Sequence, residues 1–477
     1  MKRIFNIPVT LVGLREALAA LDGAAVLAKW MHWDKVCWLL DKLGNTQYWD
    51  KRTEADSYIP LQANRLREIC GKRYADLMVQ TLLENNIIES NNHYRVGNYS
   101  KGYRLTEEHR LARKVCVFNQ NSKFLSKLEA TDRASDGECY LKATLREELG
   151  IRYQTLLQDT LPTLNPASYA PYVGTNYTLS NECDLAAWSQ HLAAIQTELS
   201  KLPTGPKKNN PRAQVEALVL AAGRIYTGQF FAHRDRKGRR LHTNVTNLAS
   251  AGRKYLTLAG ETELINTDIP ASQLVFACVP LLQHYAGSLP PDVQRWVDLC
   301  TAKDAYEQLH IEMYRLHFDE CSTHYCQLAD PKEARKRYRK DFKSKFFAAI
   351  YYSELKFNVG LLATPESQFM WANYPSVMQW IVAQKQDDYA AFACNMQRAE
   401  SDFVVDIFGY QAMRWMLPVV TIHDSALVPA SVGRNVLDYF QAWLKEALSR
   451  ADAKVKMQAE CYSSAAQEIL EQSYQLF

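Results

Sequence analysis

The stretch VVTIHDSALVPA, Val419 to Ala430, sets an apolar, β-prone run against a polar triplet and then a second apolar run. Val419, Val420, Thr421 and Ile422 suit a strand, His423, Asp424 and Ser425 suit a tight turn, and Ala426, Leu427 and Val428 suit a returning strand. The pattern predicts a hairpin through the middle of a sheet. Its tip carries a carboxylate at high cost unless something positive meets it, and a metal ion is one such partner.

A second acid of this kind lies upstream, in AGETELINTDIPASQLVFACVPLL. Leu264 and Ile265 enter a strand, Asp268 sits near its end, and the chain then returns to a helical apolar pattern. An aspartate after a strand is common and is ordinarily structural. Paired with Asp424, it becomes a candidate for two-metal chemistry, in which two carboxylates hold two Mg²⁺ ions that bridge a reacting phosphate. Between the two acids runs RYRKDFKSKFFAAIYYSELKFN, where Arg339, Lys343, Phe347 and Tyr351 recur every four residues and share one face of a helix. Such a stripe can bind a triphosphate at its basic end and set a ring beside a base or sugar at the other. An amphipathic helix with a basic solvent end is the plainer alternative.

With 477 residues, the chain can bury several cores, and its 47% apolar and 23% charged fractions are those of an ordinary globular protein. No run approaches the roughly 20 apolar residues of a membrane span. Arg15, Asp22 and Lys29 interrupt any signal-peptide core, so cytoplasmic residence and no membrane partner are expected. The net charge of +4 is small, but HRDRKGRR and KEARKRYRKDFKSK gather the basic residues locally, which suits a polyanion in a groove or, equally, a solvated helix face. Eleven cysteines in so long a chain make no disulfide scaffold. Cys321, His324 and Cys326 lack a second ligand pair for zinc and read as ordinary side chains.

The first fifty residues read as helical, through Leu11, Leu14, Leu18, Leu21 and Val26. Two short helices follow, marked by Leu66 and Ile69 and by Tyr74, Leu77, Leu82 and Leu83, with a turn at Gly71 and strand candidates NIIES and HYRVG beyond. That order resembles a winged helix. Arg65, Arg67, Lys72, Arg73, Arg95, Lys101 and Arg104 could then meet phosphates, although many winged helices bind only protein. Residues 106 to 200 read mainly as helices, and KLPTGPKKNNPRAQ as a boundary loop.

Taken in order along residues 220 to 450, the motifs resemble the palm and fingers of the superfamily that includes family A DNA polymerases and single-subunit phage-type RNA polymerases. Asp268 in TDIPASQ matches the first palm carboxylate and Asp424 in IHDS the second, which makes both catalytic and metal-binding by resemblance. Arg339, Lys343, Phe347 and Tyr351 fall on the fingers-helix pattern for the incoming nucleotide. Gln397, in NMQRAESDFVVD, resembles a palm-helix glutamine that faces template or primer. Arg239, Arg240 and His242 in GRRLHTNVTNL resemble the basic stretch before the first palm motif, and His423 and Arg73 join them as candidate nucleic-acid contacts.

The chain also departs from the pattern. Tyr352 stands where a glycine usually follows the fingers tyrosine. Gln273 takes the place of a glutamate that helps exclude a ribose 2′-hydroxyl, so it joins the nucleotide-binding set while sugar choice stays open. Ser425 after the second aspartate is closer to the phage-type RNA polymerases. No exonuclease constellation is visible, since DRASDGE, with Asp132, Asp136 and Glu138, reads as a surface turn.

The resemblance implies an α+β right-hand polymerase core of palm, fingers and thumb with an antiparallel palm sheet, preceded by a helical and winged-helix-like region. The expected divisions are 1–105 for that region, 106–220 for a thumb-like or connecting region and 221–477 for palm and fingers. The implied activity is template-directed nucleotidyl transfer, preferably DNA synthesis for a plasmid, phage or other mobile element. Mg²⁺, two ions with Mn²⁺ as a substitute, would be the cofactor; DNA template and primer, nucleoside triphosphates and replication proteins would be partners. RNA polymerase or primase-polymerase activity, and a nonenzymatic DNA-binding role on a polymerase-like scaffold, remain open.

Overall fold

The computed structural model describes the chain apart from residues 1–3, 22, 50–56, 62, 93–100, 113, 119–120, 122, 125–134, 169–175, 178, 180–181, 205–209, 303, 326–329, 449–457 and 476–477. It is mostly helical, with small antiparallel sheets, and so belongs to the α+β class. Its contacts form two compact units. The first comprises Met1–Arg133, Leu149–His233 and Thr243–Gly260, and the second Ala134–Glu148, Arg234–His242 and Glu261–Phe477.

In the first unit the N-terminus departs from the helical expectation. Ile4–Pro8 is a strand, paired antiparallel with Lys114–Phe118, and buries Phe5 and Ile7. Alternation of Phe5 and Ile7 with Asn6 is a two-residue period too short to stand out before a helical run. The long helix Trp30–Trp49 contributes Val36, Leu39 and Leu40 to the same core. Helices Ala63–Cys70 and Lys72–Glu84 follow as expected, and Gly71 takes the positive φ of 86° that their tight junction requires. They are accompanied by a three-stranded antiparallel sheet in which Gly102–Leu105 lies between Ile59–Pro60 and Ile88–Ser90. The expected strand HYRVG, with Arg95, lies outside the described residues. The region from 106 to 200 is less purely helical than its composition suggests, because it also supplies the strands Lys114–Phe118 and Leu149–Ile151.

The second unit holds a four-stranded antiparallel sheet built from β1 (Leu264–Asp268), β2 (Val420–Ile422), β3 (Ser425–Pro429) and β4 (Gln458–Cys461), in the order β2, β3, β1, β4. The opening hairpin is therefore β2 and β3, in register Ile422 to Ser425, with His423 and Asp424 as its turn. β3 is buried throughout and pairs with β1 along its whole length. Helix Ala430–Ala447 closes on β1 through Gly433, where a Cβ would stand 2.0 Å from Ile265 Cδ1. Helix Ser272–His284 leaves the end of β1, and Pro331–Ile350 is the long basic helix. Ala391–Ser401 runs through a π-helical stretch, Asp402–Ile407, into Phe408–Trp415.

The segment read as a surface turn, DRASDGE, is corrected in its described part. Ser135 caps helix Asp136–Glu147 by accepting from Glu138 N, and Glu138 is buried beside Lys142 and Arg234. An acid in the first turn of a helix suits the macrodipole, and here it also finds two cations. Asp132 lies outside the described residues, as do Cys326 and the side chain of His324.

Candidate active site

The register of β1 and β3 sets Asp268 opposite Ser425, the neighbour of Asp424, so both acids stand at the same end of the sheet. Two bends present them. His423 adopts a left-handed φ of 57° in the two-residue turn, and Ala271, with φ 51°, redirects the chain from β1 into its helix. Non-glycine residues rarely take this conformation. Ser272, first in that helix, donates its hydroxyl to Asp424 Oδ2. Burial first, and the Asp424 charge second, raise the Asp268 carboxyl well above the usual range, while Ile269 N and Lys343 pull the other way. The pair is short of positive charge.

The basic helix supplies part of it. Desolvation, the largest effect, and the nearby Arg339 lower the pKa of Lys343, against the charges of Asp424, Asp268 and Glu400, which favour its charged form. Arg339 is bonded to Asp304 at 3.4 Å. Beneath both cations lies Tyr306, with its ring centroid 5.2 Å from the Arg339 guanidinium and 5.1 Å from Lys343 Nζ. The stripe therefore presents its basic half, and its aromatic half turns inward. Phe347 and Tyr351 are buried, with the Tyr351 ring 4.7 Å from Phe392, whereas the neighbouring Tyr352 is 47% exposed. Both tyrosine hydroxyls reach Gln273 at 3.5 Å, Tyr351 to its carbonyl and Tyr352 to its side-chain Oε1.

The basic stretch 234 to 242 is held by acids of the helix that carries Gln397. The Arg234 side chain is 8% exposed and bonds both Asp406 oxygens at 2.7 Å, with Asp402 and Glu138 at 3.3 Å. Arg239 reaches Asp402 at 2.9 Å and Asp406 at 3.3 Å, and Arg240 reaches Glu400 at 2.6 Å. Asp235 organises the turn by accepting from Gly238 N, Arg240 N and His242 Nε2. Burial acts to raise its carboxyl, but these hydrogen bonds prevail and hold it below the usual value. Gln397 lies directly over Gly238, where a Cβ would come within 2.6 Å of its Oε1. The His242 and His423 rings meet edge to face at 5.7 Å, which joins this turn to the hairpin tip. Arg73 is exposed on helix Lys72–Glu84 in the first unit.

Sequence reasoning missed Tyr306, Asp304 and Glu400. Glu400 is fully buried, and burial followed by the Asp424 charge raises its carboxyl to about 7, against the pull of Arg240. Its position three residues after Gln397 is the only sequence signal, and one helical turn does not distinguish a site residue from an ordinary surface acid.

Carboxylate oxygens at a charge-deficient sheet end suit a hard divalent cation, and Mg²⁺ is commonly held by one or two carboxylates together with water and substrate phosphate. Among the described residues, no three His, Cys, Asp or Glu side chains converge as a ready-made cage. The donor set fits an ion shared with a substrate.

No family model matches the chain, and no curated protein matches it. Among solved structures, it is similar to the POL domain of Pol1 from M. smegmatis in complex with DNA primer-template and dNTP, at 13% identity and a TM-score of 0.36 over 68% of each chain. No described helix is long and apolar enough to cross a membrane.

Proposed function

We propose that the protein is a template-directed nucleotidyltransferase that extends a DNA primer, with the second unit acting as palm and fingers. The observation that carries this reading is the register of β1 and β3, which places Asp268 and Asp424 at one end of a sheet, within the field of Lys343. Asp268 and Asp424 would hold the metal. Two bound Mg²⁺ ions, or Mn²⁺ in their place, would lower the pKa of an attacking hydroxyl and stabilise the departing pyrophosphate. Lys343 and Arg339 meet the triphosphate as point charge and fork, and Arg339 exchanges Asp304 for phosphate when it does so. Gln273 and Tyr352 border the sugar. Gln397, His242 and His423 face primer or template beside the acids, and Arg239 and Arg240 reach its phosphates from the turn they stabilise.

The helix pair and three-stranded sheet of the first unit are a winged helix in this reading, and Arg73 is one of its phosphate contacts. Ribonucleotide use, as in an RNA polymerase or primase-polymerase, is the second reading. Its support is Gln273, a neutral side chain hydrogen-bonded to Tyr352 at the place where a charged one would repel a 2′-hydroxyl's acceptor side more strongly.

Incorporation on primed and unprimed templates, with dNTPs and rNTPs offered separately in Mg²⁺ or Mn²⁺, tests the assignment. Metal-dependent primer extension with dNTPs is expected, and Asp424→Asn should lower single-turnover incorporation by at least a hundredfold, about 2.7 kcal/mol in transition-state terms, while the fold is kept. Extension only with rNTPs would move the assignment to the second reading. DNA binding with no incorporation under any of these conditions would leave a nonenzymatic scaffold, and undiminished chemistry in folded Asp424→Asn would remove the metal role.

A further inference from the structure

Glu400 is 0% exposed and stands on helix Ala391–Ser401. One of its oxygens is fully used. Oε1 accepts from Arg240 Nε at 2.8 Å and lies 2.6 Å from Arg240 Nη2. The other, Oε2, is buried with no hydrogen-bond partner. A carboxylate oxygen stripped of water and left unmet is costly, so a site that keeps one is prepared for a donor that arrives with a ligand. Arg240, which holds Glu400, lies in the turn whose His242 ring meets the His423 ring of the hairpin tip at 5.7 Å, and the Asp424 and Lys343 charges act on Glu400, so it belongs to the same cluster as the hairpin acid.

An ion pair alone does not account for this arrangement. A carboxylate that anchors an arginine frequently uses both oxygens in a fork, and an oxygen left out of the pair is rarely both buried and unmet. Here a single oxygen takes two guanidinium nitrogens while the other is buried and unmet, in a cluster that includes the Asp424 charge. The donor that fits such a cluster is one carried in by a cation. Water bound to a divalent ion donates strongly, and a carboxylate one water away adds to the ion's affinity without entering its coordination sphere.

We propose that Glu400 is the third carboxylate of the cation site, acting through bound water on ions held by Asp268 and Asp424. The proposal rests on the reading of those two aspartates as metal ligands. It makes Glu400 a positioning residue and gives Arg240 a second task, since Arg240 fixes Oε1 and thereby aims Oε2. It is also consistent with the lack of a three-ligand cage among the described residues, because an outer carboxylate stands back from the metal.

Mn²⁺ binding to the full chain, followed by electron paramagnetic resonance, tests this without any turnover. Glu400→Gln keeps the acceptor for Arg240 and removes the charge and the free lone pairs. It should weaken Mn²⁺ binding about tenfold, with the unfolding temperature measured alongside because Arg240 loses its counter-charge. Asp424→Asn should weaken binding more. If Asp424→Asn weakens binding and Glu400→Gln does not, Glu400 is only an anchor for Arg240 and the proposal fails while the two-aspartate site stands. If the wild-type protein binds no Mn²⁺, or Asp424→Asn leaves binding unchanged, the site itself is wrong and the proposal falls with it. Glu400→Asp, which retains the charge one methylene back, takes over the test if Glu400→Gln does not fold, and unaltered affinity in it likewise overturns the proposal.

Discussion

Gly137→Ala is expected to be among the most damaging single-methyl additions in the second unit. A Cβ there would lie 2.6 Å from Tyr410 N, 2.6 Å from Val405 O and 2.9 Å from Gly409 C. These atoms are backbone, so no side chain can swing aside, and the closest contacts are about 1 Å inside the usual separation near 3.5 Å. Relief requires helix Asp136–Glu147 to move off the helix that carries the π-helical stretch. That movement draws Ser135 away from Asp406, which it bonds at 2.5 Å, and Glu138 away from Arg234, at 3.3 Å. Overpacking costs about 1–3 kcal/mol, disturbance of buried charged hydrogen bonds adds to it, and the better helix propensity of alanine returns at most about 1 kcal/mol. A net loss of about 3 kcal/mol is expected. Gly409→Ala meets Leu141 Cδ1 at 3.0 Å and Gly137 backbone at 3.1 Å, so a loss of about 1 kcal/mol suffices there. Calorimetric unfolding should show Gly137→Ala lower by roughly 6–10 °C and Gly409→Ala by roughly 3 °C. Gly137→Ala indistinguishable from wild type, or milder than Gly409→Ala, would refute the close backbone crossing.

Two further outcomes are expected. Lys343→Ala should raise the nucleotide concentration needed for half-maximal incorporation by roughly tenfold or more and also slow turnover; steady-state titration of the nucleotide reads both, and an unchanged profile would detach the basic helix from the triphosphate. His191, buried against Trp188 and donating from Nδ1 to Ser168 O at 2.9 Å, has its pKa lowered to about 4 by burial, against the effect of that hydrogen bond. The unfolded imidazole takes its proton near 6.5, so between pH 6.5 and 4 the unfolded chain binds more protons and stability falls as the pH falls. The loss should reach about 3 kcal/mol below pH 4, and hydrogen exchange across helix Glu182–Ser200 in wild type and His191→Leu would show whether that acid limb belongs to His191.

The hairpin β2–β3 and the end of β1 were readable in the chain because a two-residue period and a turn triplet are local signals. The spacing of Arg339 and Lys343 was readable for the same reason. What escaped depended on partners far away in sequence. Ile4–Pro8 finds its partner more than a hundred residues later, and a helical reading of the prefix had nothing to oppose it. The basic run HRDRKGRR suited a polyanion in a groove or a solvated helix face, but Arg234, Arg239 and Arg240 meet Asp406, Asp402 and Glu400, acids that sit some 160 residues on. Tyr351 and Tyr352 differ by one position and end on opposite sides of the surface, a distinction set by packing against Phe392 and not by propensity.

If the protein binds nucleic acid as proposed, the internal pairing of those arginines would change how that binding responds to salt. A cation that waits in water carries a loose atmosphere of anions, and binding a phosphate frees counterions from the polyanion in proportion to the contacts made. Arg239 and Arg240 instead come with carboxylates already in place. For a phosphate to use either one, it must displace or share a tethered rival, and that rival stays at the interface as a nearby negative charge. The same number of arginine contacts would therefore bring less net neutralisation of the strand, and the logarithm of affinity should fall less steeply with the logarithm of salt than a count of basic residues implies. Specific geometry would be obtained in exchange for long-range attraction, because a guanidinium already held by a carboxylate has fewer N–H groups left to offer a phosphate.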